Sequence, residues 1–108
     1  MIEVKYGELP KKSLEEYSKY LINKVYKILP MKEENCQTLT QYLEGLQVEL
    51  IGNSELVTLL SNEPKFISLL NIIQYLVSQD YDNKMCKREV FKAINLIENI
   101  SQKYFKEV

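Results

Sequence analysis

The chain has 108 residues, of which 45% are apolar and 27% charged, with a net charge of −1, no histidine, two cysteines and three glycines. That length supplies one hydrophobic core, and that composition belongs to an ordinary globular domain rather than a disordered one. The near-neutral charge removes any global pull toward nucleic acid or an anionic membrane, and without histidine no Cys-His or Ser-His-Asp nucleophile can be built.

The first ten residues, MIEVKYGELP, carry two glutamates and no apolar run of the secretory kind. No segment approaches the ~20 apolar residues of a membrane span. A cytoplasmic chain follows as the expectation, with Cys36 and Cys86 as reduced thiols. Lysine outnumbers arginine thirteen to one, and Ile, Asn and Tyr are abundant. These are residues of A/T-rich codons and point to a low-GC bacterium, or to its phage or plasmid.

In chain order, Ile2, Val4 and Tyr6 alternate with Glu3 and Lys5, the period-2 pattern of a half-buried strand. Gly7 and Pro10 end it, and no second strand is evident. The segment reads as an extended arm that packs on the helices or pairs with a second copy or a partner edge, Ile2, Val4 and Tyr6 being its contact residues.

The first helix is expected over about 14–29. Ser13 and Glu16 form a capping box, Leu14, Tyr17, Leu21, Val25 and Ile28 form one apolar face, and Pro30 ends it. The second covers about 39–51, capped by Thr38 and ended by Gly52 and Asn53, which suit the left-handed position after a helix. Gly45 in its middle costs about 1 kcal/mol relative to alanine and suggests a close helix crossing.

Ser54 can cap a short helix holding Leu56, Val57, Leu59 and Leu60, and Asn62 can cap the next, with Pro64 in its first turn. That helix, about 63–78, is apolar nearly all round, which suits the middle of a bundle or an oligomer interface. Asp82 or Asn83 caps the last helix, about 84–105, whose core stripe is Cys86, Val90, Ala93, Ile94, Ile97, Ile100 and Tyr104. Together these elements predict a single all-α domain: a small bundle of four to five helices over 13–105, preceded by a short extended arm over 1–10.

No catalytic, cofactor or metal motif is found. Two isolated cysteines do not make a zinc site. Asp80–Asn83 resembles the opening of a calcium loop, but positions 5, 6 and 12 would be Lys84, Met85 and Phe91, none of which the template accepts. Gly7, Gly45 and Gly52 are too scattered to cradle a phosphate. A helix-turn-helix outline around Gly52 lacks cations: 33–63 holds six glutamates and no lysine or arginine, a hostile surface for phosphates. The expectation is therefore no enzyme, cofactor, metal or membrane contact, and nucleic acid is disfavoured.

The charge distribution carries the remaining information. Residues 1–32 sum to +3, 33–63 to −6 and 64–108 to +2. The acidic middle either complements a basic partner or solvates the second helix. On the last helix, Lys84, Lys87, Arg88, Phe91 and Asn95 share a face at 100° per residue, with Lys92 beside it, and the macrodipole disfavours cations at such a helix start. An aromatic among cations, away from the core stripe, is the expected partner-binding surface. The alternative is that Phe91 packs on the first helix or the arm and the lysines are solvated. The functional expectation is a protein–protein interaction module, an accessory or regulatory subunit of a bacterial, phage or mobile-element system, with a two-fold homodimer within reach of the fourth helix and the arm. Alternatives are an immunity- or antitoxin-like inhibitor acting through Glu44, Glu49 and Glu55, and a nucleic-acid binder acting through the last helix.

Overall fold

The structure, a computed structural model, describes residues 2–4 and 7–105. Two three-residue strands, β1 (Ile2–Val4) and β2 (Gly7–Leu9), lead into α1 (Lys11–Tyr26), α2 (Ile28–Glu33), α3 (Leu39–Leu56), a 3-10 turn (Thr58–Asn62), α4 (Pro64–Ser78), α5 (Asn83–Ile100) and a terminal π turn (Ser101–Phe105). The fold is an all-α bundle with a short extended arm. α4 packs on both α3 and α5, and α5 also packs on α1 and α2.

The arm has a second strand that its sequence does not announce. β1 and β2 pair antiparallel, Ile2 opposite Leu9 and Val4 opposite Gly7. β1 ends at Val4, and Gly7 opens β2 at φ +147, a backbone region that a side chain would strain. On its other side Val4 bridges to Val57, whose extended backbone follows α3. Ile2 is buried and Val4 partly buried in the chain's own core, so both make arm contacts within the chain. Tyr6 lies outside the described residues.

α1 begins at Lys11 behind Pro10, three residues ahead of the expected start, so Ser13 lies inside the first turn, its N–H donating to the Pro10 carbonyl at 3.1 Å. Leu14, Ser18, Leu21 and Val25 form its buried face. The helix stops at Tyr26 rather than just before Pro30. A proline cannot donate to the carbonyl four residues back, and its ring crowds that carbonyl, which here belongs to Tyr26. Pro30 then sits harmlessly in the first turn of α2. α2 closes on Asn35 in the left-handed region (φ 51), with Cys36 N–H on the Met31 carbonyl (2.9 Å) and Asn35 N–H on that of Lys32 (3.1 Å). This is the paired-bond helix end for which asparagine is a common substitute for glycine.

α3 does begin after Thr38, but the threonine hydroxyl meets Cys36 Sγ at 3.1 Å instead of capping the helix. It then runs straight through Gly52 and Asn53. Asn53 is held in the helix by its bond to Tyr17 on α1 (2.8 Å), Ser54 bonds back to the Ile51 carbonyl (2.7 Å), and Leu50 and Val57 anchor the segment in the core. Tertiary contacts thus override the stop signal, and Ser54 caps nothing. The short helix becomes the 3-10 turn, with Leu60 buried. α4 is capped by Glu63, which accepts from Lys65 N–H, rather than by Asn62, and Pro64 takes the first helical position. α4 buries Phe66, Leu69, Ile73 and Leu76 and leaves Ile67 exposed. Asp82 caps α5 by accepting from Met85 N–H at 2.8 Å.

Gly45 has no close crossing. It is exposed, and beyond its chain neighbours and the helix's own nearby backbone no atom lies within 4 Å of where a Cβ would stand. Gly45→Ala is therefore expected to stabilise the fold by about 1 kcal/mol. An unchanged urea midpoint would show that α3 does not hold the glycine in regular helix.

Candidate functional site

Three features stand out on this scaffold. The first is the start of α5. Lys84, Lys87, Arg88 and Phe91, with Asp82 and Met85, line one shallow depression. Phe91 is 38% exposed, and its ring meets that of Tyr26 edge-on, centroids 6.0 Å apart at 83°. That geometry suits the opposed charge of ring edge and ring face. Phe91 thus both packs on α1 and presents surface, which combines the two sequence readings. Asn95 is exposed one turn further along, and Lys92 lies beside the depression rather than in it.

Glu89, which sequence reading passed over, is buried at the edge of this face. Arg88 Nη2 and Lys92 Nζ each lie 3.5 Å from its Oε1. Its position between Cys86 and Ala93 on the buried stripe marks it for burial by spacing alone. Tyr26, also missed, lies off the core stripe of α1. Among the described residues Lys84 and Lys87 form no ion pair.

The second feature is the outer face of α3. Glu44, Val48, Ile51 and Glu55 are exposed at spacings of three and four, Val48 at 70% and Ile51 at 44%. Glu49 does not join them. Its carboxylate accepts from Lys24 Nζ (2.7 Å) and from the Tyr17 hydroxyl, which in turn accepts from Asn53. Partial burial pushes the Glu49 carboxyl up, and the bonds from Lys24 and Tyr17 outweigh it, leaving the group below the usual carboxylate range. Burial, reinforced by Glu49, pushes the Tyr17 hydroxyl up to about 12. Glu49 is therefore a clamp between α1 and α3, while Glu44 and Glu55 remain at the surface.

The third feature is a cavity of about 360 Å³, open to solvent on one side and walled by α1, α3, the 3-10 turn, α4, α5 and the π turn. Its walls include the buried Leu21, Leu60, Leu69, Ile97 and Phe105, and the arm contributes Val4 and Leu9. The space is roughly twelve times a water's share of the liquid and lies in the range of about 300–1,000 Å³ usual for small-molecule sites. Among the described residues no charged side chain lines it.

The cysteines are separate thiols. The Thr38 hydroxyl draws the partly exposed Cys36 below the usual thiol range, and burial pushes Cys86 up. No helix among the described residues is long and apolar enough to cross a membrane. No protein-family model, curated protein or solved structure matches the chain.

Proposed function

We propose that the protein is a non-enzymatic interaction module, an accessory or regulatory subunit of a bacterial or mobile-element system, that docks an acidic partner protein on the start of α5. The observation that carries this reading is Phe91, held half-open by Tyr26 and ringed by Lys84, Lys87 and Arg88. Lys84 stands in the first turn, at the positive end of the helix dipole, at a cost of about 0.3–1 kcal/mol, and Lys87 and Arg88 follow one turn on, with Asp82 and Glu89 as the nearby acids. An acidic partner relieves that repulsion, and an exposed aromatic beside an arginine is the kind of anchor on which interface energy concentrates.

A second reading rests on the exposure of Val48 and Ile51 between Glu44 and Glu55. Two apolar anchors flanked by acids suit a basic partner, as in an immunity- or antitoxin-like inhibitor. One experiment separates the two. Tagged protein captures its partner from a native lysate, at moderate and high salt and with nuclease. The capture is repeated with K84E/K87E/R88E and with V48D/I51D. The triple reversal is expected to weaken retention at least about tenfold, or 1.4 kcal/mol, while the α3 variant leaves it unchanged. The opposite pattern selects the inhibitor reading, and recovery abolished by nuclease selects nucleic acid.

A further inference from the structure

We propose that the cavity bounded by α1, the end of α3, the 3-10 turn and the π turn is a binding site for one uncharged, predominantly hydrocarbon molecule, of the size of a medium-chain fatty alcohol. It shares no residue with the depression at the start of α5, so it stands independently of the docking reading.

Shape, chemistry and access agree on this class of ligand. The walls are core side chains, Leu60, Phe66, Leu69, Ile97 and Ile100 among them, each at most 6% exposed and each fixed on a helix or turn. The space is therefore pre-formed. At interior packing density it takes roughly a dozen to fifteen non-hydrogen atoms. With no charged side chain among the described residues of the lining, an ionised group drawn inside would lose its hydration without compensation from them. The polar contributions come from Ser13, Ser18, Tyr17 and Asn53. Ser18 spends its hydroxyl on the Leu14 carbonyl, and Tyr17 is bound to both Glu49 and Asn53. Asn53 donates through Nδ2, which leaves its amide oxygen to accept from a ligand hydroxyl.

Leu9, Ser13 and Leu56 are the exposed residues of the lining, Val4, Tyr17 and Asn53 are partly exposed and the rest are buried, which puts the mouth at those three. Two exposed leucines are far short of the roughly 800 Å² that each partner contributes to a standard protein interface. A small molecule, rather than a second copy of the chain, is the fitting occupant.

The test loads the full-length protein with the small, neutral fluorescent probe 1-naphthol and displaces it with dodecanol or with sodium dodecanoate. Dodecanol is expected to displace one probe per chain and to raise the melting temperature, and dodecanoate to act at least about tenfold more weakly. Val57→Phe, which places a ring in the cavity, and Ser13→Phe, which narrows the mouth from an exposed position, are each expected to weaken dodecanol at least about tenfold. Ser13→Phe should keep the wild-type melting temperature, so lost binding there is not lost folding. The proposal is overturned if dodecanol fails to saturate, if both variants bind as the wild type does, or if dodecanoate binds as well as dodecanol. A free protein that is dimeric and dissociates on adding dodecanol would also overturn it, since a second copy would then occupy the site.

Discussion

Ile73→Ala is expected to lower the unfolding free energy by about 3 kcal/mol, within the 2–5 kcal/mol typical of such truncations. Ile73 is wholly excluded from solvent on α4, the helix that packs on both α3 and α5. Removing its outer carbons costs their transfer free energy, and three helices pinned by their own cores cannot close the gap. At roughly 4–8 °C per kcal/mol for a domain of about this size, the melting temperature should fall by about 12–24 °C. Ile67→Ala on the same helix supplies the control. Ile67 is 46% exposed, so its loss should stay within about 0.5 kcal/mol. Equal losses at the two positions would mean that α4 does not present the face described.

Stability is expected to be nearly level around neutral pH and to fall in acid, through Glu63 and Glu49. Glu63 is a buried carboxylate that caps α4 while accepting from the Tyr104 hydroxyl and pairing with Lys103 at 3.5 Å. The Tyr104 bond above all, against the opposing effect of burial, holds its carboxyl below the usual range, with help from Lys65 N–H and Lys103. Glu49 lies below that range too. A carboxyl depressed in the folded state binds its proton later than the unfolded chain does. Its stabilisation is therefore complete above the unfolded value of about 4.3 and drains away as pH drops through the lower, folded value.

Glu63→Gln keeps the size of the side chain and removes the charge. Urea unfolding at pH 7 should show a loss of about 1–3 kcal/mol, the range for a buried polar contact left poorly satisfied. The gap to wild type should narrow steadily below about pH 4.3, where the native glutamate is itself neutralised. A gap that stays constant from neutral pH into acid would show that the loss comes from the amide's altered hydrogen bonding, and not from the missing charge.

Much of this architecture was legible wherever one segment carries both its pattern and its cap. On α5 the cap falls on Asp82, one of the two residues the sequence offers for it, and the Cys86–Val90–Ala93–Ile97 spacing appears in the structure as read; α4, apolar nearly all round in sequence, buries one face of Phe66, Leu69, Ile73 and Leu76. Errors fall where a local signal was outvoted from a distance. Gly52 and Asn53 look like a stop, yet Tyr17, more than thirty residues earlier in sequence, holds Asn53 inside α3. Pro30 was recognised as a breaker, but its effect lands four residues upstream, on the carbonyl it cannot bond. Of the candidate surfaces, the cationic face of α5 follows from helical spacing on one element. The supporting Tyr26 does not, because it comes from another helix. The cavity was illegible for a deeper reason: a void is defined by atoms that are absent, and no segment's pattern encodes what several others fail to fill.

The π turn after α5 packs back on α1, and Phe105 within it is buried. In most domains the outermost elements open first and independently. Here the earliest and latest helical elements share one packed seam, so neither can open without exposing the other. Amide protons at the start of α1 and the end of α5 should then exchange as a single cooperative unit, with the two outermost elements of the bundle rising and falling together in protection.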